Sequence, residues 1–153
     1  MRNIIMELNA TIIGYVRKEE NEPPYLEIKS EFWDATLNVD KYSHIIVLWW
    51  ITERDTAQDR SNLRGTPPVD NAELSGVFAT RSPRRPTPIG HTISKIVSLD
   101  QENHRIILDH MDAFDNTPVI DIKPYLPSSD CVDDARFPEW FKENKYRYSK
   151  PRN

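Results

Sequence analysis

The stretch from Gly76 to Gly90 (G-V-F-A-T-R-S-P-R-R-P-T-P-I-G) sets three arginines among three prolines. Pro83, Pro86 and Pro88 each fix their own φ, and each pushes its predecessor, Ser82, Arg85 or Thr87, out of the α region. The segment is therefore an extended, stiff loop whose carbonyls lack local partners, and Gly90 ends it. Ordering such a loop around a ligand costs little further backbone entropy. Arg81, Arg84 and Arg85 would present planar, permanently charged donors at fixed places, suited to a carboxylate or a phosphate. The same residues also describe a rigid connection between strands with solvated arginines.

A second cluster is Asp109-His110-Met111-Asp112, followed by the turn-forming Asp115-Asn116-Thr117-Pro118. Its carboxylates and carbonyls could form a rim that accepts hydrogen bonds or faces a cation, or could be an ordinary connection. No His/Asp spacing here is diagnostic of a metal, and no metal is expected. In Asp121-Ile122-Lys123-Pro124-Tyr125, period-two alternation puts Asp121 and Lys123 on one strand face and Ile122 on the other. Pro124 ends that strand where Tyr125 could reach a pocket rim. Among the histidines, His91 follows Gly90 directly and could line whatever the proline-rich loop encloses. His44 opens an apolar run and His104 sits in a polar loop, positions that suit structure better than catalysis. Nothing forms a Ser-His-Asp or Cys-His constellation, and no nucleophile elbow exists.

Composition narrows the frame that must position these groups. A chain of 153 residues suits one domain. It carries 12 Pro against only 4 Gly, reversing the average usage of about 5% and about 7%. Gly14, Gly65, Gly76 and Gly90 lie too far apart for a dinucleotide fingerprint or a P-loop. A nucleotide-like ligand would have to be held by another route. The single cysteine, Cys131, can form neither an internal disulfide nor a zinc knuckle, which points to a reducing compartment. There is no signal-peptide layout, and the longest apolar run, Ile45 to Ile51, is far short of the roughly 20 residues that span a bilayer. A soluble cytoplasmic protein with no membrane partner is expected. The net charge of −4 argues against a generally basic nucleic-acid binder, although Lys142, Lys145, Arg147, Lys150 and Arg152 make the C-terminal tail basic.

Strand signals dominate. Ala10 to Val16, Tyr25 to Ser30, His44 to Thr52, Leu74 to Thr80, His91 to Leu99, Arg105 to Met111 and Thr117 to Ile122 are β-branched, aromatic or alternating. Asp100 to His104 is a polar hairpin loop. Helix is expected only around Thr56 to Leu63 and from Pro138 to Tyr146, where Pro suits the first turn. The stretch from Thr52 to Val69 is polar and charged and looks like a surface excursion. Many short strands with little helix predict a mainly β protein, a small antiparallel β-barrel or sandwich with one or two short helices.

Phe78 to Gly90 (F-A-T-R-S-P-R-R-P-T-P-I-G) and Asp115 to Tyr125 (D-N-T-P-V-I-D-I-K-P-Y) resemble the two signature blocks of the TrmO family, also called TsaA-like or YaeB-like. Ile13 to Val16 and Tyr42 to Leu48 add to a resemblance that runs from about Ala10 to Asp130. It implies a small β-barrel methyltransferase that uses S-adenosyl-L-methionine and works as a homodimer, with the cofactor near the subunit interface. The implied substrate is tRNA at its anticodon loop, methylated on the exocyclic N6 of a threonylcarbamoyl-adenosine beside the anticodon. Carried over by motif, the cofactor contacts fall on Arg81, His91, Asp109, His110, Met111 and Asp112. The catalytic group is Asp121, Lys123 and Tyr125, and the substrate contacts are Arg84, Arg85 and Asn116.

The residue types suit that chemistry. A sulfonium prefers the carbonyls and carboxylates of the Asp109/Asp112 rim, and a donor or acceptor carboxylate would seek Arg81, Arg84 or Lys123. An in-line methyl transfer draws its rate from alignment and electrostatics, with Asp121 or Tyr125 available for the departing proton. Thr87, His91 and Asn116 stand where the family usually has Asn, Leu or Met, and Gly. Glu22-Pro23-Pro24-Tyr25 replaces an early P-R-Q loop, and the short form resembles archaeal members. The implied organisation is a barrel over 1–140 with a basic tail over 141–153. The same residues also admit a barrel that methylates another RNA or a small molecule, or a non-catalytic nucleotide-binding or scaffold module.

Overall fold

The computed structural model describes residues 8–141. Eight strands run in the order β1 (Gly14–Arg17), β2 (Tyr25–Ile28), β3 (His44–Trp50), β4 (Arg64–Gly65), β5 (Ser75–Gly76), β6 (Ile89–Asp100), β7 (Arg105–Leu108) and β8 (Pro118–Pro124). Two four-residue helices, α1 (Ala57–Arg60) and α2 (Pro127–Asp130), and several 3-10 turns complete the described chain. The architecture is mainly antiparallel β with few helices, the class the sequence predicts.

Six strands pair in the ring order β1-β2-β7-β6-β3-β8, and β8 pairs back onto β1 through Gly14↔Val119 and Tyr15↔Pro118. Burial alternates along the ring. On β3, Ile45 and Val47 are fully buried while Ile46 and Leu48 face outward half-exposed. Val16, Leu26, Ile28, Ile106, Leu108 and Val119 join them in the core. Two irregularities bend the ring. One skips Ile120 between β3 and β8; the other skips Val97 between β6 and β7. The second lets the 12-residue β6 leave β3 and turn onto β7. Phe32, Trp33 and Val39, from 3-10 turns at Ser30–Thr36 and Val39–Lys41, pack against the core.

Several boundaries differ from expectation. Leu74 to Thr80 is not a strand: only Ser75–Gly76 pairs, against Arg64–Gly65, and Val77–Ala79 is a 3-10 turn closed by Thr80 N–H to the Val77 carbonyl. Leu74 and Phe78 are exposed and only Val77 is buried, so the run has no apolar face to pair. The first strand begins at Gly14 rather than Ala10, and the strand from Arg105 stops at Leu108. The turns from Ser30 to Thr36 and helix α2 carry no periodic signal and were not expected. The helix expected from Pro138 begins as a 3-10 turn at Glu139–Phe141; the rest of it, and the basic tail after Phe141, lie outside the described residues.

Left-handed turn positions are taken by Asn21, Asn38, Asn71, His104 and Asn116, and by no described glycine. Gly14 is required for another reason: a Cβ there would come within 2.3 Å of the Glu27 carbonyl oxygen across β1–β2. Gly65 has nothing within 4 Å of such an atom. Gly14→Ala is expected to cost about 1–3 kcal/mol by overpacking. Gly65→Ala should stay within about 0.5 kcal/mol. Chemical denaturation of both variants checks the contrast.

Candidate functional site

A cleft of about 680 Å³ opens where β3 ends, β6 begins and β8 is about to start. Such a volume falls within the roughly 300–1,000 Å³ of small-molecule sites. Its walls come from Trp49 and Ile51, from the proline-rich loop at Thr80 to Arg85, from Ile89 to His91, and from Asp112 to Asp115 with Thr117. Trp49 is held by its indole N–H to Thr92 Oγ1 at 3.1 Å. It lies over Gly90, where a Cβ would stand only 2.5 Å from indole carbons. Gly90 thus ends the loop and also makes room for this wall.

The loop is braced as its prolines require. The Arg84 carbonyl accepts from Asn62 Nδ2 (3.1 Å), that of Pro86 from Arg60 Nε (3.0 Å), and that of Pro88 from the Ile51 N–H (2.8 Å). The charged stretch read as a surface excursion is therefore the loop's scaffold. Its helix α1 is capped by Thr56, which accepts from the Asp59 N–H at 3.1 Å.

The three arginines divide their labour. Arg85 Nη1 donates to the Thr80 and Ser82 carbonyls (3.0 and 3.2 Å), closing the loop on itself. Arg84 Nε pairs with Asp59 Oδ1 at 3.1 Å, tying the loop to α1. Arg81 lines the cleft, and no hydrogen bond or ion pair within the described residues engages its side chain. Of the expected ligand-binding residues, Arg81, His91, Asp112 and Arg85 meet in this cleft.

The others lie elsewhere. Met111 is in the core, and its carbonyl accepts from Lys18 Nζ at 2.6 Å. Asp109 Oδ1 accepts from the Lys95 N–H at 2.9 Å and contacts His110 Nδ1 at 3.0 Å, while the His110 carbonyl accepts from Ser94 Oγ. Asn116 holds the turn before β8: it adopts φ 65°, its N–H donates to the Val16 carbonyl, and its side-chain oxygen accepts from Arg17. Asparagine tolerates this left-handed position, which is why it can stand where glycine is usual.

Asp121, Lys123 and Tyr125 do not line the cleft. Tyr125 lies eight residues beyond Thr117, roughly 26 Å at strand rise, with its ring edge-on to His44. Asp121 and Lys123 share the outward face of β8, as alternation predicts, and pair at 2.8 Å. That pairing holds the Lys123 ammonium above its ordinary value, so it stays protonated and is no base. In register, Leu48 stands between His91 and Asp121, which puts those two about 10 Å apart across the outer face.

His91 is the imidazole of the cleft. The residue stays exposed at the cleft, and its pKa is lowered chiefly by partial desolvation and then by the Arg81 guanidinium, with Asp112 opposing both. Desolvation and the Arg81 charge thus both favour the neutral ring. Trp49, Glu53, Arg54 and Phe114 also line the cleft and went unrecognised in the sequence. Trp49 reads there only as part of an apolar run. The lining carries both signs of charge beside apolar walls, an arrangement for a ligand that itself has an anionic and a cationic end.

Comparison with known proteins gives a consistent picture. The sequence profile of the tRNA-methyltransferase O N-terminal domain, TrmO_N, matches residues 16–131. A protein of Archaeoglobus fulgidus named S-adenosyl-L-methionine-binding protein is 42% identical over 107 residues, covering 70% of this chain and 72% of its own. A longer protein of the same organism, named probable S-adenosyl-L-methionine-binding protein, is 40% identical over 118 residues, which are 77% of this chain but 30% of its own. The crystal structure of TrmO from Pseudomonas aeruginosa matches 88% of this chain and 62% of its own, with a TM-score of 0.67 and 29% identity.

The electrostatics of the cleft can be read directly. The NMR titration midpoint of His91 is expected below about 6.5. Removing the neighbouring cation in Arg81→Ala should raise it, and removing the anion in Asp112→Asn should lower it further.

Proposed function

This chain belongs to the TrmO family, and we propose that it is an S-adenosyl-L-methionine-dependent tRNA methyltransferase whose cofactor occupies the cleft between Arg81, His91 and Asp112. The single observation that carries this reading is the division among the loop arginines. Two are consumed in bracing the loop, while Arg81 is held out beside Asp112 at the cleft. The residues fit the cofactor. Arg81 would take its carboxylate, Asp112 would face its ammonium or sulfonium, and Trp49, Ile51 and Phe114 offer apolar walls to its adenosine. When bound, the cofactor supplies a methyl group on a positively charged sulfur.

The finer assignments follow from the family. The acceptor is the N6 of threonylcarbamoyl-adenosine next to the tRNA anticodon. The closed ring of six strands is the small barrel of a domain spanning 1–140. The protein works in the cytoplasm as a homodimer. In support of the dimer, the outer face of β3 and β6 sets half-exposed Ile46 and Leu48 beside Ile93 in an apolar patch. Asp121 and Lys123 flank that patch on β8. A second copy covering it would bring the Asp121–Lys123 pair beside the mouth of the cleft, where these residues could act on the acceptor.

Calorimetry with S-adenosyl-L-methionine tests the cofactor. Arg81→Ala should weaken binding at least tenfold, because a lost charge-assisted hydrogen bond costs about 1.5–3 kcal/mol. Arg84→Ala should lower thermal stability and leave affinity within about threefold, since its partner is Asp59. The acceptor is tested by incubation with labelled cofactor and total tRNA, followed by digestion to nucleosides. Label is expected in a modified adenosine, and its absence with the cofactor bound would remove tRNA as substrate. For the dimer, joint Leu48→Glu and Ile93→Glu substitution should halve the mass seen by light scattering.

A further inference from the structure

An exocyclic purine nitrogen that gains a methyl group must lose a hydrogen, so the reaction needs a proton acceptor at the cleft. The groups expected for this role are poorly placed within one subunit. Lys123 is protonated and paired with Asp121. Asp121 Oδ1 accepts from the Ile122 N–H at 2.9 Å, and Tyr125 stands at the far end of β8. His91 is different. It opens onto the cleft from the start of β6, between the cation of Arg81 and the anion of Asp112.

We infer that His91 takes the proton released when the acceptor nitrogen is methylated, and that Asp112 holds the resulting imidazolium. The inference rests on the proposed methyltransferase reading and adds to it the group that completes the step. The acceptor nitrogen forms its bond to the methyl carbon. The carbon–sulfur bond breaks with its electron pair retained by sulfur, which becomes a neutral thioether. The proton on nitrogen passes to the unprotonated ring nitrogen of His91 and from there to water. Charge balances: the positive charge carried by sulfur leaves as the proton.

The charged groups lining the cleft around His91 are Arg81 and Arg85 on the loop, Asp112 and Asp115 before β8, and Glu53 and Arg54 after β3. Arg85 is committed to the Thr80 and Ser82 carbonyls. Asp115 accepts from the Lys18 N–H. Arg81 disfavours the imidazolium and Asp112 favours it. Arg81 thereby favours the unprotonated ring before transfer and Asp112 offers a counter-charge after it, the two conditions a base working near neutral pH requires.

Two measurements test this. The first needs no acceptor: the His91 titration midpoint is followed by NMR in complexes with S-adenosylmethionine and with S-adenosylhomocysteine, which differ by one positive charge at sulfur. The midpoint should be about one pH unit lower in the first complex. Equal midpoints would place His91 away from the reacting sulfur and overturn the inference. The second is single-turnover methylation of total tRNA from pH 5.5 to 8.5. At saturating cofactor, His91→Leu should transfer methyl at least a hundredfold more slowly than wild type. It should also lose the rise in rate with pH that the wild type shows through the His91 midpoint. Added imidazole should restore transfer to His91→Ala. An unchanged rate and pH profile in His91→Leu would overturn the inference while leaving the methyltransferase reading intact. A wild-type protein that binds the cofactor and methylates no tRNA would overturn both.

Discussion

A loop with three prolines in six residues cannot satisfy its own backbone. Pro83, Pro86 and Pro88 contribute carbonyls and no N–H groups, and a carbonyl kept from water needs a donor. The Arg84, Pro86 and Pro88 carbonyls find donors in one direction: Ile51 at the end of β3, then Arg60 and Asn62 in and after helix α1. That requirement explains why a polar, charged excursion follows β3 and why a single helical turn is capped and kept there. It also explains why Arg84 meets Asp59 instead of a ligand.

Seen this way, stiffness and binding are one property. The carbonyls fix the loop from behind, Trp49 lies on Gly90 at its end, and Arg81 is left facing forward. A cation placed by such a frame need not be gathered from many rotamers and loop positions before it binds. The ring supplies the rest, because β3, β6 and β8 are hydrogen-bonded neighbours and bring Trp49, His91 and Thr117 to one end without a long loop.

Much of this was legible in the residues. The presence of the six ring strands and the stiffness of Gly76 to Gly90 follow from local chemistry, as does the shared face of Asp121 and Lys123. What escaped notice had no local signature. Which arginine faces the ligand depends on the positions of Asp59 and of the Thr80 and Ser82 carbonyls, a tertiary matter. Asp109, His110 and Met111 look as available as Asp112 in sequence. In the fold, one is core and the other two are engaged beside β6, so only Asp112 reaches the cleft. Leu74 to Thr80 has strand-forming residues but only a two-residue partner, and propensity without a ladder gives a turn.

The left-handed asparagines have a consequence outside the native structure altogether. Asn21, Asn38, Asn71 and Asn116 occupy backbone positions where glycine would fit without strain. Glycine there would enlarge the ensemble of the denatured chain, and every extra unfolded conformation is one more that folding must give up. Where a residue fits its backbone without strain, as a proline in a compatible site does, this restriction is worth about 0.4–1 kcal/mol; a left-handed asparagine offsets part of it with strain. With 12 prolines and no described left-handed glycine, this sequence limits the disorder of its denatured state. Part of its stability therefore belongs to the narrowed unfolded ensemble and to no native contact.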